Sequence, residues 1–118
     1  MQYALIFYSD PASMVETLPA ARRDAWFAEM NAWRGELVRA GVFRTGLRLA
    51  GVETATSLRK EGREVLVTDG PFAETKEILG GLIVVECADL DEALGWARRC
   101  PILQFGTVEV RPEFGTAA

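Results

Sequence analysis

Histidine is absent from the 118 residues of this chain. Its side chain is the commonest general base near neutral pH and the commonest ligand of transition metals. Any proton transfer must therefore use a carboxylate, Arg, Lys, Tyr, Cys or a backbone group. We expect neither a metal site nor a cofactor.

Positive charge and long apolar runs are also scarce. The chain has 13 Lys and Arg residues against 17 Asp and Glu, a net charge of -4. Binding a phosphate backbone needs a concentrated basic surface, so no nucleic-acid partner is expected. No apolar run approaches the ~20 residues of a membrane helix, and the N-terminal segment lacks the basic start of a signal peptide. These absences predict one cytoplasmic domain, residues 1–118, without a membrane segment.

Cysteine occurs only twice, as Cys87 and Cys100. Cytoplasmic thiols stay reduced, and the spacing of this pair matches no zinc motif. Both residues are therefore predicted to be reduced and at least half-buried.

Apolar periodicity predicts two helices and several strands. The first helix starts at Pro19, carries Trp26 and Trp33 in its inward stripe together with Phe27 and Val38, and ends near residue 40. The second starts with a D-x-x-E capping box at Asp89 and has Leu90 in its stripe. Residues 42–54 are turn-rich and predict a loop or short extended arm. Strands are predicted at residues 2–8, 54–59, 63–69, 80–87 and 106–112.

This order of elements is typical of an α+β fold, a ferredoxin-like β-α-β-β-α-β arrangement with an extra hairpin arm. The strands at residues 2–8 and 80–87 are apolar on both alternating sets, whereas the helices of such a fold cover one sheet face. We predict a homodimer whose sheets pack face to face. The alternative is a monomer with an open pocket.

One stretch is richer than a turn requires: "DGPFAETKE" at residues 69–77. With the text that follows it, "ILGGLIVVECADLDEALGWARRCP", and the later "GTVEVRP", it closely resembles the DGPF-type branch of the YCII-related family. The resemblance covers nearly the whole chain. It implies a dimeric α+β barrel of two ferredoxin-like subunits. It also implies a largely unassigned activity, with relatives described as small enzymes or as companions of transcriptional regulators.

The chain departs from the resemblance in one respect. The narrower YCII branch is noted for a catalytic His and Asp pair, which a chain without histidine cannot supply. Some relatives have His before the proline that follows the second helix, where this chain has Cys100 before Pro101. A substitute nucleophile and a half-buried core residue are the two interpretations of Cys100, and the second is favoured.

The signature also supplies a candidate site. Asp69 is the predicted acid or base, and a cavity shared with Glu74 and Lys76 would tune its pKa. In the alternative, Asp69, Gly70 and Pro71 only form a turn, and the later charges lock a dimer through salt bridges.

The other predicted binding residues are Gly70, Pro71, Phe72, Arg48 and Tyr8. Phe72 would anchor the loop by burying its ring, Arg48 would bind an anionic group, and Tyr8 would form a hydrogen bond into the cavity. In the alternative, Arg48 and Tyr8 are ordinary loop and sheet residues. Two functions remain open at this stage. One is a small cofactor-independent enzyme acting on a small organic molecule, and the other is a non-catalytic module for a metabolite or a protein partner.

Overall fold

A computed structural model of the chain describes residues 1–10 and 17–115. Two short 3-10 turns, Val52–Thr54 and Pro101–Gln104, accompany the regular elements. In chain order the helices and strands are β1 (Gln2–Ser9), α1 (Ala20–Arg39), β2 (Phe43–Arg48), β3 (Thr56–Glu61), β4 (Glu64–Asp69), β5 (Ile78–Glu86), α2 (Leu90–Ala97) and β6 (Gly106–Pro112).

The main sheet has four strands in the order β2-β5-β1-β6, and its three pairings are antiparallel. Strands β3 and β4 form a separate two-stranded hairpin. Without that hairpin the element order is β-α-β-β-α-β, which is ferredoxin-like. The predicted α+β class and the inserted hairpin are confirmed.

Strand β2 corrects the prediction of a loop at residues 42–54. It pairs with β5, Thr45 opposite Val84 and Leu47 opposite Leu82. Gly46 is a residue type that is common in turns, but in β2 it allows the strand to lie close to β5. A Cβ on Gly46 would lie 2.9 Å from the side chain of Ile83. A glycine inside a strand often marks such an approach.

The core lies between the two helices and one face of the sheet, here called the helix face. Two residues predicted to face this core do not: Val38 is 56% exposed and Leu90 is 46% exposed. The buried side chains come from β1, β5, α1 and α2, and include Tyr3, Leu5, Phe7, Ile83, Val85, Trp33, Leu37, Ala93 and Ala97.

Local signals fix the ends of both helices. Gly41 follows α1 with φ +75°, the left-handed conformation that closes helix ends. At the start of α2 the backbone N–H of Glu92 donates to the Asp89 carboxylate at 2.9 Å. The Glu92 carboxylate accepts from the N–H of Ala88 at 3.0 Å, so the capping box closes one residue earlier than the standard form.

The β3–β4 hairpin has no cover from the other residues that the structure describes. It turns at Gly62, whose φ of +63° suits a tight hairpin turn. All six residues of β4 are exposed. Leu58 lies opposite Val67, and together with Val65 these residues form an apolar stripe on one side of the hairpin, 57–66% exposed. The hairpin stripe is therefore an unpartnered apolar surface.

The second face of the main sheet, here called the open face, carries no helix. Side chains there alternate with those of the core; those of β1 and of residues 82–86 in β5 are half-buried, whereas Leu47 of β2, which pairs with Leu82, is 55% exposed. They include Ala4, Ile6 and Tyr8 of β1 and Leu82 and Val84 of β5. A partner or a ligand that covers these apolar side chains would explain why they lie on a face without a helix.

No helix among the described residues is long and apolar enough to cross a membrane.

Candidate functional site

A cavity of about 610 Å³ opens between the N-terminal half of α1 and one end of the main sheet. At that end β1 and β2 finish and β5 begins, because Ser9 pairs with Ile78 and Arg48 pairs with Gly81. Sites for small molecules typically have volumes of about 300–1,000 Å³. The cavity is therefore large enough for a small organic ligand.

Aromatic rings form much of the cavity wall. Trp26 lies edge-on to Phe27, with ring centroids 5.3 Å apart, and edge-on to Phe105 at 5.9 Å. The Trp26 indole N–H donates to the carbonyl of Pro101 at 3.1 Å, which fixes the orientation of the ring. Phe7 and other apolar side chains complete a wall suited to a flat, apolar ligand.

Two arginines, Arg34 and Arg48, also belong to the lining of the cavity. The central guanidinium carbon of Arg48 lies 5.0 Å from the ring centroid of Phe27, and that of Arg34 lies 4.8 Å from the ring of Phe43. Both are cation–π distances. The remaining polar residues of the lining are Ser9, Thr17, Asn31, Glu53 and Tyr8, the last of which directs its side chain to the open face of β1.

Glycines form the floor where β2 and β5 approach each other. A Cβ on Gly81 would lie 2.6 Å from the carbonyl oxygen of Leu47, so only glycine permits this spacing. At neighbouring Gly80 an added Cβ would meet no heavy atom within 4 Å. Gly80 is therefore the lining position that can accept a side chain.

The predicted site residues are divided by the structure. Tyr8 and Arg48 line the cavity. The remaining six predicted residues lie outside the lining of the cavity: Asp69, Gly70, Pro71, Phe72, Glu74 and Lys76. Gly70 is half-buried and the other five are exposed. A shared pocket at this loop stays a prediction.

Gly70 makes the contacts of the signature turn. Its N–H donates to the carbonyl of Ala55 at 2.7 Å, and its carbonyl accepts from the Ser57 hydroxyl at 2.7 Å. Its φ is +101°. Phe72 is 81% exposed, so the predicted burial of its ring is wrong for the single chain: the turn directs it away from the core. The turn is anchored by one backbone bond to Ala55, just before β3, and by one bond from the Ser57 side chain within β3.

The hairpin rises directly from the wall of the cavity. Residues 49–53, just before it, and residues 78–83, just after the signature, line the cavity. The two flanks are joined where the N–H of Leu49 donates to the carbonyl of Gly80 at 2.8 Å. The signature is therefore close in sequence to the cavity on both sides while standing outside it.

Gly70→Val is expected to destabilise the protein, because a β-branched residue at positive φ is strained by roughly 1–3 kcal/mol. Gly80→Val is the matched control: an added Cβ meets no heavy atom within 4 Å at either position, and only Gly70 has a positive φ. The free energy of unfolding in urea measures both. Equal values for the two variants would contradict the turn geometry.

Neither cysteine is set up as a nucleophile. Both are free and buried. Burial raises the pKa of Cys100 from 9.0 to about 12. Burial and then the Glu92 carboxylate raise the pKa of Cys87 to about 11. Thiols in this state are protonated at neutral pH, which supports the core interpretation of Cys100.

Cys100 makes stability depend on pH in the alkaline range. The unfolded thiol ionises near 9.0 and the folded thiol only near 12, so its stabilising effect is complete below pH 9 and is lost as the pH rises toward 12. Between pH 8 and pH 10 the free energy of unfolding should fall by roughly 1 kcal/mol through this group. Urea unfolding of wild type and Cys100→Ala measures it. Parallel pH profiles would contradict this burial.

Metal chemistry has no obvious location in the described part of the chain. Within residues 1–10 and 17–115, no group of three or more Cys, Asp and Glu side chains is arranged to hold a metal ion. The cavity offers hydroxyls, one carboxylate and two guanidiniums instead. These groups can bind, orient and exchange protons with a ligand.

Comparison with known proteins assigns the chain to a family. A sequence model of the YCII-related domain matches residues 1–114. The chain belongs to the YCII-related family. It is 37% identical over 114 residues to an uncharacterised protein of Rhizobium meliloti (strain 1021), covering 95% of this chain and 91% of the relative.

Solved structures with the same fold include 5-chloro-2-hydroxyhydroquinone dehydrochlorinase from Burkholderia phenoliruptrix, in complex with 2,5-dihydroxybenzoquinone. The TM-score is 0.58 at 15% identity, and the match covers 96% of this chain and 93% of the enzyme. At this identity the likeness establishes the α+β fold of this family member and nothing more specific.

Proposed function

We propose that this YCII-related protein is a small cofactor-independent enzyme that takes a small, flat organic molecule into the cavity beneath α1. The observation that carries the proposal is the aromatic wall of Trp26, Phe27 and Phe105 around a space of about 610 Å³. Such a wall favours a planar ring, since aromatic groups pack well edge-on or in offset stacks. The geometry thus favours a ring compound over a flexible chain.

The structural neighbour supports an enzymatic role. A protein of the same fold acts as a dehydrochlorinase and holds 2,5-dihydroxybenzoquinone. The fold is therefore able to support chemistry on a six-membered ring compound. Fold alone does not carry a reaction from one protein to another, so the reaction of this chain is left open within the class of small-molecule conversions.

Two carboxylates are proposed to exchange protons in the absence of histidine. Glu53 lines the cavity, and Asp69 stands outside it at the end of the exposed hairpin. We propose that Asp69, with Glu74 and Lys76 nearby in sequence, joins a cavity only when two copies assemble. The second candidate function is a non-catalytic module that binds a metabolite. The exposure of Asp69 in the single chain favours this second candidate.

Assembly as a homodimer is the proposed explanation of the two uncovered apolar surfaces. The open face has half-buried Ile6 and Val84, and the hairpin stripe of Leu58, Val65 and Val67 is more than half exposed. An isolated two-stranded hairpin is marginally stable in water. A second copy of the chain would cover both surfaces, sheet against sheet with the hairpins reaching across.

The finer family placement and the compartment are also proposals. The nine residues "DGPFAETKE" at 69–77 support the DGPF-type branch. A single domain over residues 1–118 agrees with a family match that reaches residue 114. The two free cysteines fit the reducing conditions of the cytoplasm.

The ligand proposal predicts that 2,5-dihydroxybenzoquinone or a related ring compound binds the wild-type chain in calorimetric titrations. Gly80→Val should weaken binding about tenfold or more, because the added side chain enters space at the cavity wall. Gly95→Ala is the control, since Gly95 also has open space around it but lies outside the lining. Absence of binding across a panel of ring compounds, or equal binding by Gly80→Val, would refute the cavity as the site.

The dimer proposal predicts a mass of twice 13.0 kDa by light scattering at micromolar concentration. Val67→Lys should shift the equilibrium toward monomer, since it places a charge on the hairpin stripe. Leu66→Lys is the matched control because neighbouring residues of a strand point to opposite faces. A monomeric wild type rejects the proposal, and equal effects of the two variants reject the stripe as part of the interface.

A further inference from the structure

The charge of the cavity differs in sign from that of the whole chain. The protein carries a net charge of -4, yet the charged residues that line the cavity are Arg34, Arg48 and Glu53. The described lining therefore has a formal excess of one positive charge in an otherwise acidic protein. A local reversal of this kind attracts ligands of the opposite charge.

The two arginines of the lining belong to different walls of the cavity, and the ring that Arg34 covers, Phe43, lies outside the lining. Arg34 belongs to α1, where it lies seven residues, or about two turns, after Phe27 and so on the same side of the helix. Arg48 ends β2 on the sheet side and stacks over that same Phe27 ring. A guanidinium that stacks on an aromatic face keeps its N–H groups in its own plane, in a fork that matches a carboxylate.

We infer that the molecule bound in this cavity is an aromatic anion, a planar ring that bears a carboxylate or another acidic oxygen group. Arg48 and Arg34 bind the charged group, while Trp26, Phe27 and Phe105 hold the ring. The inference rests on the proposed function and adds the charge of its ligand. It makes the two arginines specificity-determining residues of the site.

A purely structural role for the arginines leads to a different expectation. If Arg34 and Arg48 served only to cover Phe43 and Phe27, their replacement would alter stability without changing which ligands bind. The informative quantity is therefore the ratio of affinities for a charged and a neutral ligand of the same shape. Unfolding curves, measured alongside, report the structural contribution separately.

The test compares 2-naphthoate with 2-naphthamide, which share the ring system and differ in the charge of one group. Calorimetric titrations at low and moderate salt measure both against wild type, Arg48→Gln, Arg34→Gln and the control Arg98→Gln on an exposed helix end outside the cavity. Wild type and Arg98→Gln should bind the carboxylate at least tenfold more tightly than the amide. In Arg48→Gln and Arg34→Gln the ratio of the two affinities should fall by about 10-fold or more. A hydrogen bond to a charged group contributes enough free energy to change an affinity by that factor.

The outcomes separate the two levels of the account. If both compounds bind and the amide binds as tightly as the acid, the anionic ligand is refuted while the ring-binding cavity stands. If both cavity variants keep the full preference for the carboxylate, the assignment of the arginines is refuted. If neither naphthalene compound nor any other ring compound binds wild type, the inference and the proposed function fall together.

Discussion

The sheet has more apolar surface than its two helices can cover, and the other features of the chain depend on that imbalance. Helices of 20 and 8 residues cover the helix face of the sheet. The side chains at the centre of the open face, in β1 and β5, are only half-buried. The inserted hairpin adds an apolar stripe that no other described residue of the chain covers. Burying apolar area is the main favourable term in folding and association, so the exposed remainder explains why a second copy is proposed.

The same arrangement positions the cavity. Glycines at residues 46 and 81 let β2 and β5 approach closely, and the ends of these strands face the aromatic N-terminal half of α1. The hairpin that carries the signature departs from this end of the sheet and returns to it. Ligand binding, hairpin position and dimer assembly are therefore expected to influence one another, although each has its own residues.

Local elements of this fold could be predicted from the sequence because their signals are local. The capping carboxylate of Asp89, the helix-ending Gly41 and the hairpin turn at Gly62 act on their own neighbours. Strand β2 was missed because Gly46 looks like a turn residue until its contact with β5 is known. The cavity was missed because its wall combines residues from four distant elements, and Trp26 has the same spacing as a core residue. Its exposure to the cavity depends on where α1 lies against the sheet, which no local pattern encodes.

The central claim is that the cavity beneath α1 is the ligand site, and intermolecular nuclear Overhauser effects test it most directly. In a complex of the isotope-labelled protein with 2-naphthoate, the account predicts contacts from the ligand ring protons to the side chains of Trp26, Phe27 and Phe105. Contacts confined to residues outside the cavity lining, with none to these three rings, would contradict it.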